Sequence, residues 1–214
     1  MPLVAVPRRR RLRRPGPVGS RPAVARRLGR ILALAGRLVA DAHLAATQAS
    51  AQGGAQLAFT NTGGIRTALA CAGKPPCAVS YDQVATMQPF GNSLVVMTLT
   101  GRQLKALLED QQTPRRSAPH FLQVSRGLHY TWVRGAAYGE RVRELSLDGR
   151  RIAPDERLRV AVNSYLAEGG DGFARLRDGT DRTGGPLDAE ALADYLRAHP
   201  RYAPDRAARI TLID

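Results

Sequence analysis

The pattern of apolar and polar positions changes near residue 28. Residues 1–28 are rich in Pro, Arg and Gly and show no apolar periodicity, so we expect a disordered tail there. From residue 28 to about residue 49, apolar side chains recur at three- and four-residue spacing, which predicts an amphipathic helix. We therefore predict one ordered domain over residues 29–214, preceded by an Arg/Pro-rich tail.

Short apolar runs within residues 29–214 predict strands with few helices between them. The predicted strands cover residues 56–60, 93–100, 121–125, 128–133, 141–147, 151–152, 158–162 and 209–213. Two more helices are predicted, over 101–111 and 187–198. Strands and helices do not alternate regularly, which favours an α+β fold with a mixed β-sheet and flanking helices.

The positive charge is concentrated in the predicted tail. The formal net charge is +14, but residues 1–40 contain eleven Arg and no Asp, Glu or Lys. Residues 41–214 contain the other 21 basic residues and all 18 acidic residues, which gives them a net charge of +3. Binding to nucleic acid would depend on the tail, so we expect nucleic acid not to be the main partner.

The N-terminal segment does not match a secretory signal or a membrane span. Its longest apolar run covers residues 31–35, whereas a signal needs roughly 7–15 apolar residues and a membrane span needs ~20. We therefore expect no association with a membrane. An Arg-rich segment without acidic residues also resembles a transit peptide or a nucleic-acid-binding arm, and these alternatives stay open beside a disordered tail.

Two cysteines, Cys71 and Cys77, bracket the short sequence Ala-Gly-Lys-Pro-Pro. Across such a Gly/Pro turn, a small disulfide forms readily in an oxidising compartment. Two free thiols are the alternative. No His lies nearby in sequence, and two thiols alone do not make a zinc site.

The first loop with candidate chemistry follows the predicted strand 56–60. We expect Gly63 and Gly64 to adopt backbone conformations closed to other residues and to let a ligand come close. Asn61 can donate and accept hydrogen bonds, and Arg66 offers a fork suited to phosphate or sugar oxygens. The alternative is a tight turn with a surface Arg.

The second loop, residues 87–92, holds Phe90 between a Pro and a Gly. A large apolar ring in such a turn is poorly placed for an ordinary core position. Two interpretations stay open: Phe90 faces a ligand, or its ring folds back onto the core.

The third loop begins after the predicted strand 158–162 and carries Tyr165 and Asp171 among three glycines. A carboxylate at position 171 can pair with two neighbouring hydroxyl groups, as a ribose presents them. The alternative is a Gly-rich turn that Asp171 caps.

Together the loops form a recognisable series. They read N-x-G-G-I-R, Q-P-F-G-N and Y-L-A-x-G-G-D-G-F in this order, with F-L-Q-V-S at 121–125 between the last two. This series resembles the C-terminal, substrate-binding domain of the 5'-nucleotidase family, which includes bacterial periplasmic nucleotidases and UDP-sugar hydrolases. The resemblance covers about residues 36–214. It implies a nucleotide or nucleoside as partner, a role in nucleotide catabolism, and a periplasmic or extracellular location of family members.

The resemblance also implies a role for each candidate residue. Asn61 would contact the base, and Arg66 would contact the sugar and phosphate. Phe90 and Tyr165, the latter usually Phe in the family, would stack on the two faces of the base, and Asp171 would bind the ribose. Stacking is worth roughly 1–3 kcal/mol per base and tolerates many bases.

The chain departs from the family pattern on the phosphate side. A Gly-Asn pair of the family aligns with Gly36 and Arg37, so Arg replaces the Asn. A further phosphate-binding Arg of the family would fall in the Arg-rich segment. The resemblance therefore supports base binding more directly than phosphate binding.

Hydrolysis in the family takes place on an N-terminal calcineurin-like metallophosphatase domain that holds two divalent metals. Its metal motifs are absent as a set, and Asp41-Ala42-His43, which spells D-x-H, lies in a predicted helix without partner motifs. We predict no catalytic residue, no metal site and no cofactor in this chain. Hydrolysis would require a separate metallophosphatase domain, in trans for example. The alternative is a stand-alone, non-catalytic nucleotide-binding module or pseudoenzyme.

Overall fold

A computed structural model defines the fold over residues 22–69, 77–113, 118–205 and 207–214, with side chains from residue 33 onward. The helices in these ranges are α1 (Pro22–Thr47), α2 (Tyr81–Met87), α3 (Gly101–Glu109), α4 (Ser164–Ala167) and α5 (Asp188–Ala198). The strands in the same ranges are β1 (Leu57–Thr60), β2 (Ser93–Thr100), β3 (Gln123–Val124), β4 (Leu128–Val133), β5 (Val142–Leu147), β6 (Arg150–Arg151), β7 (Arg157–Asn163), β8 (Thr180–Leu187) and β9 (Ile210–Ile213). Short 3₁₀ turns lie between several of these elements.

The strands of the described residues form two mixed sheets. The five-stranded sheet has the order β3-β1-β7-β2-β8, in which only the β1–β7 pair is parallel. The four-stranded sheet has the order β6-β5-β4-β9, in which β4 and β9 are parallel. The predicted α+β class with mixed β-sheet and flanking helices is confirmed, and the strands are divided between two sheets.

The alternation of side chains along β1 explains how the layers pack. Leu57 and Phe59 join the main hydrophobic core, which combines side chains of both sheets with the leucines of α3. Ala58 faces the opposite side, where it packs with Leu44 of α1. Successive residues of a strand point to opposite faces, so α1 covers one face of the five-stranded sheet while α3 and the second sheet cover the other.

Helix α1 begins at Pro22, six residues before the start that the apolar pattern predicts. Residues 22–28 are therefore helical, although their composition predicts that they belong to the disordered tail. Proline suits the first helical turn, where its missing N–H is not needed, and the Ala, Arg and Leu residues that follow are strong helix formers. Residues 1–21 of the predicted tail lie outside the described residues. Among the described helices, none combines the length and apolar character of a membrane span.

Cys77 is disulfide-bonded, in agreement with the first of the two alternatives for the cysteine pair. Cys71, the other cysteine of the predicted pair, lies outside the described residues.

Candidate functional site

Three polar loops lie at one edge of the five-stranded sheet. Strands β1 and β7 run parallel, so the loops that follow them leave the sheet at the same edge. Strand β2 is antiparallel to β7 with Leu94 opposite Asn163, so the loop before β2 lies at this edge as well. We call this region the three-loop edge; it comprises residues 61–66, 87–92 and 163–173.

Hydrogen bonds between side chains join the first loop to the third. The amide of Asn163 donates to Oδ1 of Asn61 at 3.1 Å, and Nδ2 of Asn61 donates to Oδ2 of Asp171 at 2.6 Å. The other carboxylate oxygen of Asp171 accepts from the hydroxyl of Tyr165 at 3.0 Å. Asn61, Tyr165 and Asp171 thus form one hydrogen-bonded group.

Gly63 and Gly64 line this group for a different reason than the sequence suggested. They lie in a 3₁₀ turn, Thr62–Gly64, and neither has a positive φ, so the expectation of a conformation closed to other residues is wrong. Space is the cause at Gly64, where a Cβ would lie 3.0 Å from Oδ1 of Asn61. A Cβ on Gly63 would make an ordinary contact, 3.4 Å from Nδ2 of Asn61. Glycine at position 64 therefore leaves room for the Asn61 side chain.

The third loop packs the ring of Tyr165 directly against its own backbone. A Cβ on Gly170 would clash with Cε1 of Tyr165, so no other residue fits at position 170 without movement of the ring. Asp171 has a φ of 52°, in the left-handed region that non-glycine residues seldom adopt. Its backbone N–H donates to the Tyr165 hydroxyl at 3.1 Å.

The second loop presents Phe90 to solvent. The side chain is 56% exposed, so the interpretation in which the ring folds back onto the core is wrong. The guanidinium carbon of Arg66 lies 5.8 Å from the centre of the Phe90 ring, a cation–π contact. The backbone N–H of Arg66 also donates to the carbonyl of Met87 at 2.9 Å, which joins the first loop to the second.

The structure thus brings the predicted residues together in two groups. One contains Asn61, Tyr165 and Asp171 with the two glycines of the first loop, and the other contains Arg66 and Phe90. Tyr165 is 47% exposed, so both candidate stacking rings are accessible. That these rings face each other across one pocket stays a prediction.

An open depression of about 620 Å³ lies beside Arg66, between the first loop and α2. Its lining residues are Arg66, Thr67, Asp82, Ala85, Thr86 and Pro89. The guanidinium of Arg66 therefore borders open space on one side.

Two supporting residues were not singled out in the sequence. Asn163, which is 1% exposed, caps α4 by accepting from the Leu166 N–H at 2.9 Å, in addition to its bond to Asn61. The sequence does carry a signal for Asn163, since Asn is a favoured N-cap residue and this one stands at the end of a buried strand. Arg182 of β8 donates to the carbonyl of Ala167 within the third loop and to that of Leu176 just after it, both at 3.2 Å. No local pattern marks this Arg.

Asp41 and His43, the two ionisable residues of the D-x-H sequence in α1, are both buried. The carboxylate of Asp41 forms a buried ion pair with Arg209, with N–O distances of 2.7 and 2.8 Å. His43 is fully buried, and this burial lowers its pKa to about 4. Over the described ranges, no three His, Cys, Asp or Glu side chains are grouped closely enough to hold a metal ion.

Comparison with known proteins identifies relatives over most of the chain. The family model described as "5'-nucleotidase, C-terminal domain" matches residues 20–178. The trifunctional nucleotide phosphoesterase protein YfkN of Bacillus subtilis is 34% identical over 171 residues, which is 76% of this chain and 11% of that protein. The probable 5'-nucleotidase of Treponema pallidum is 30% identical over 181 residues, which is 79% of this chain and 30% of that protein.

A solved structure shows the same fold. The 5'-nucleotidase precursor from Thermus thermophilus superposes with a TM-score of 0.72 at 34% identity, and the match covers 84% of this chain and 35% of that one. The chain therefore spans about a third or less of the length of these relatives.

Proposed function

The chain belongs to the 5'-nucleotidase C-terminal domain family, and on that premise we propose that its three-loop edge binds a nucleotide through the nucleoside part. The observation that carries this proposal is the hydrogen-bonded group of Asn61, Tyr165 and Asp171, which lies at the same sheet edge as the exposed ring of Phe90. Polar groups for a sugar and aromatic faces for a base thereby lie in loops at the ends of adjacent strands.

The base is proposed to lie between Phe90 and Tyr165. Both residues are about half exposed, so a flat ligand can reach their rings. Stacking on each ring would contribute roughly 1–3 kcal/mol. Stacking alone does not distinguish bases, so specificity is expected to come from the groups around the rings.

The sugar is proposed to bind at Asp171, whose two carboxylate oxygens can accept hydrogen bonds from vicinal hydroxyl groups. Asn61 is only 5% exposed, and its amide already bonds to Asp171 and Asn163. We therefore propose that Asn61 mainly orients Asp171, with any contact to the base as a secondary role.

The phosphate is proposed to bind on the side of Arg66, whose guanidinium lies over Phe90 and borders the open depression. A base that stacks on Phe90 would share the ring with this guanidinium, and the guanidinium can then form charge-assisted bonds to a phosphate. We assign ester hydrolysis to a metallophosphatase domain with two divalent metals, which is outside the residues described for this chain.

The test is a titration of the ¹⁵N-labelled protein with AMP, followed by NMR. We expect shifts that concentrate in residues 61–66, 87–92 and 163–173. Phe90→Ala removes one stacking face and should weaken AMP binding by roughly 1–3 kcal/mol. Asp171→Ala should weaken AMP binding but leave adenine binding nearly unchanged.

The matched control is Leu212→Ala, which removes an exposed apolar side chain from the four-stranded sheet. Its AMP affinity should equal that of the unmodified protein. AMP-induced shifts that avoid all three loops, or that persist unchanged in both site variants, would refute the proposal.

A further inference from the structure

The hydroxyl of Tyr165 makes two hydrogen bonds to a single residue. It donates to Oδ1 of Asp171 at 3.0 Å and accepts from the backbone N–H of Asp171 at 3.1 Å. The side chain and the backbone of Asp171 are therefore both tied to the same phenol oxygen. A phenylalanine at position 165 would keep the ring but lose both bonds.

Asp171 needs such restraint because of its position in the chain. It lies between Gly170 and Gly172, and glycine neighbours give the backbone more freedom than other residues. Its own φ of 52° is unfavourable for a residue with a Cβ. Hydrogen bonds from the surrounding structure must stabilise this conformation.

The two oxygens of the Asp171 carboxylate accept from donors on different loops. Asn61 donates to Oδ2 from the first loop, and Tyr165 donates to Oδ1 from the start of the third. One donor would fix the position of one oxygen, whereas two donors fix the plane of the carboxylate as well. A carboxylate with a fixed plane can accept two vicinal hydroxyl groups without losing rotational freedom when they bind.

We infer that the Tyr165 hydroxyl is a positioning group that sets the preference of the site for ribose over sugars without the vicinal diol. This inference rests on the proposed function, since it needs a nucleoside at the three-loop edge. The ring and the hydroxyl of Tyr165 have separate roles: the ring stacks on the base, and the hydroxyl holds Asp171 for the sugar.

The test compares Tyr165→Phe with the unmodified protein, using AMP and 2',3'-dideoxy-AMP as two ligands that differ only in the diol. We expect the variant to bind AMP up to about tenfold more weakly, because binding must then order a carboxylate that the hydroxyl no longer holds. Binding of 2',3'-dideoxy-AMP should stay within about twofold, because the stacking ring is kept. Without ligand, the Asp171 amide should exchange with solvent faster in the variant.

Tyr138→Phe is the matched control. Tyr138 is 45% exposed and its hydroxyl also donates to a carboxylate, that of Asp110 at 2.6 Å, but it lies outside the three loops. Its removal should leave the affinities for both ligands unchanged.

The outcomes separate this inference from the proposed function. If Tyr165→Phe only loosened the loop, the affinities for AMP and 2',3'-dideoxy-AMP would fall equally, and that result would overturn the inference. Unchanged AMP affinity in Tyr165→Phe would overturn it as well. If Phe90→Ala and Asp171→Ala still weaken AMP binding, the proposed function stands in both cases. If AMP does not bind at the three-loop edge at all, both proposals fail together.

Discussion

The buried His43 predicts a specific loss of stability in acid. The imidazole is fully buried in α1, and burial lowers its pKa from the usual 6.5 to about 4, although a backbone hydrogen bond at Phe59 offsets part of this effect. Between these two values the unfolded chain binds a proton at this site and the folded chain does not. Stability therefore falls as the pH falls from about 7 towards 4, and below pH 4 the loss is complete.

The magnitude follows from the difference between the two pKa values. One pKa unit corresponds to about 1.4 kcal/mol, so His43 contributes about 3 kcal/mol in total and about 2 kcal/mol of this is lost between pH 7 and pH 5. Urea unfolding at both pH values measures the loss. In His43→Gln, the loss between pH 7 and pH 5 should be smaller by about 2 kcal/mol than in the unmodified protein.

The control for this experiment is His120→Gln, because His120 is exposed. Its pH dependence should match that of the unmodified protein, since carboxylates that titrate in the same range are common to all three proteins. If His43→Gln retained the full pH dependence of the unmodified protein, the assignment of the acid sensitivity to His43 would be refuted.

Two further predictions concern stability and catalysis. Asp41→Asn removes the charge that pairs with buried Arg209 and should destabilise the fold by about 3–5 kcal/mol in urea unfolding, whereas Asp155→Asn, which breaks an exposed pair with Arg102, should cost less than about 1 kcal/mol. Equal effects of the two substitutions would contradict the importance of burial. The purified chain with AMP and a divalent metal should release no phosphate above a buffer control; metal-dependent turnover that survives removal of contaminating phosphatases would overturn the assignment of hydrolysis to another domain.

The elements that the sequence predicts well carry their signal locally. Strand β2 matches its predicted range, because its apolar run is bounded by a loop before it and a capping box after it. The hairpin of β5 and β6 forms at Asp148 and Gly149, which both have positive φ as this turn requires. In these segments, neighbouring residues are sufficient to specify the structure.

Strand β8, which the sequence did not predict, depends on a partner far along the chain. Strand β8, with the sequence TDRTGGPL, has no apolar alternation. It is the outermost strand of the five-stranded sheet next to β2, and most of its residues are exposed. It is a strand because it pairs with β2. Helix α2, which was also not predicted, is only seven residues long, but the capping box of Ser80 and Gln83 is a local signal for it.

In the candidate site too, some features follow from neighbouring residues and others depend on residues far apart in sequence. Each of the three motifs is contiguous in sequence, so their order is visible without the structure, and the resemblance to the family supplies the candidate residues. The bond between Asn61 and Asp171 joins residues 110 positions apart, and no local spacing reveals it. Local sequence does not reveal the role of Gly64 for the same reason: its lack of a side chain matters because of Asn61, whose position depends on Asp171 and Asn163.

The order of strands in the sheet brings the three loops close together despite their separation in sequence. Strand β7 lies between β1 and β2, so the loop after β7 has the other two loops as its neighbours. On one side it bonds to the first loop through Asp171. On the other side, Leu94 pairs with Asn163, which brings the chain just after Phe90 to the strand end just before Tyr165. Adjacent strands are about 4.8 Å apart, so the segments that carry the two rings begin at neighbouring strand ends. A flat ligand between them would also lie beside the carboxylate that Tyr165 and Asn61 hold in place.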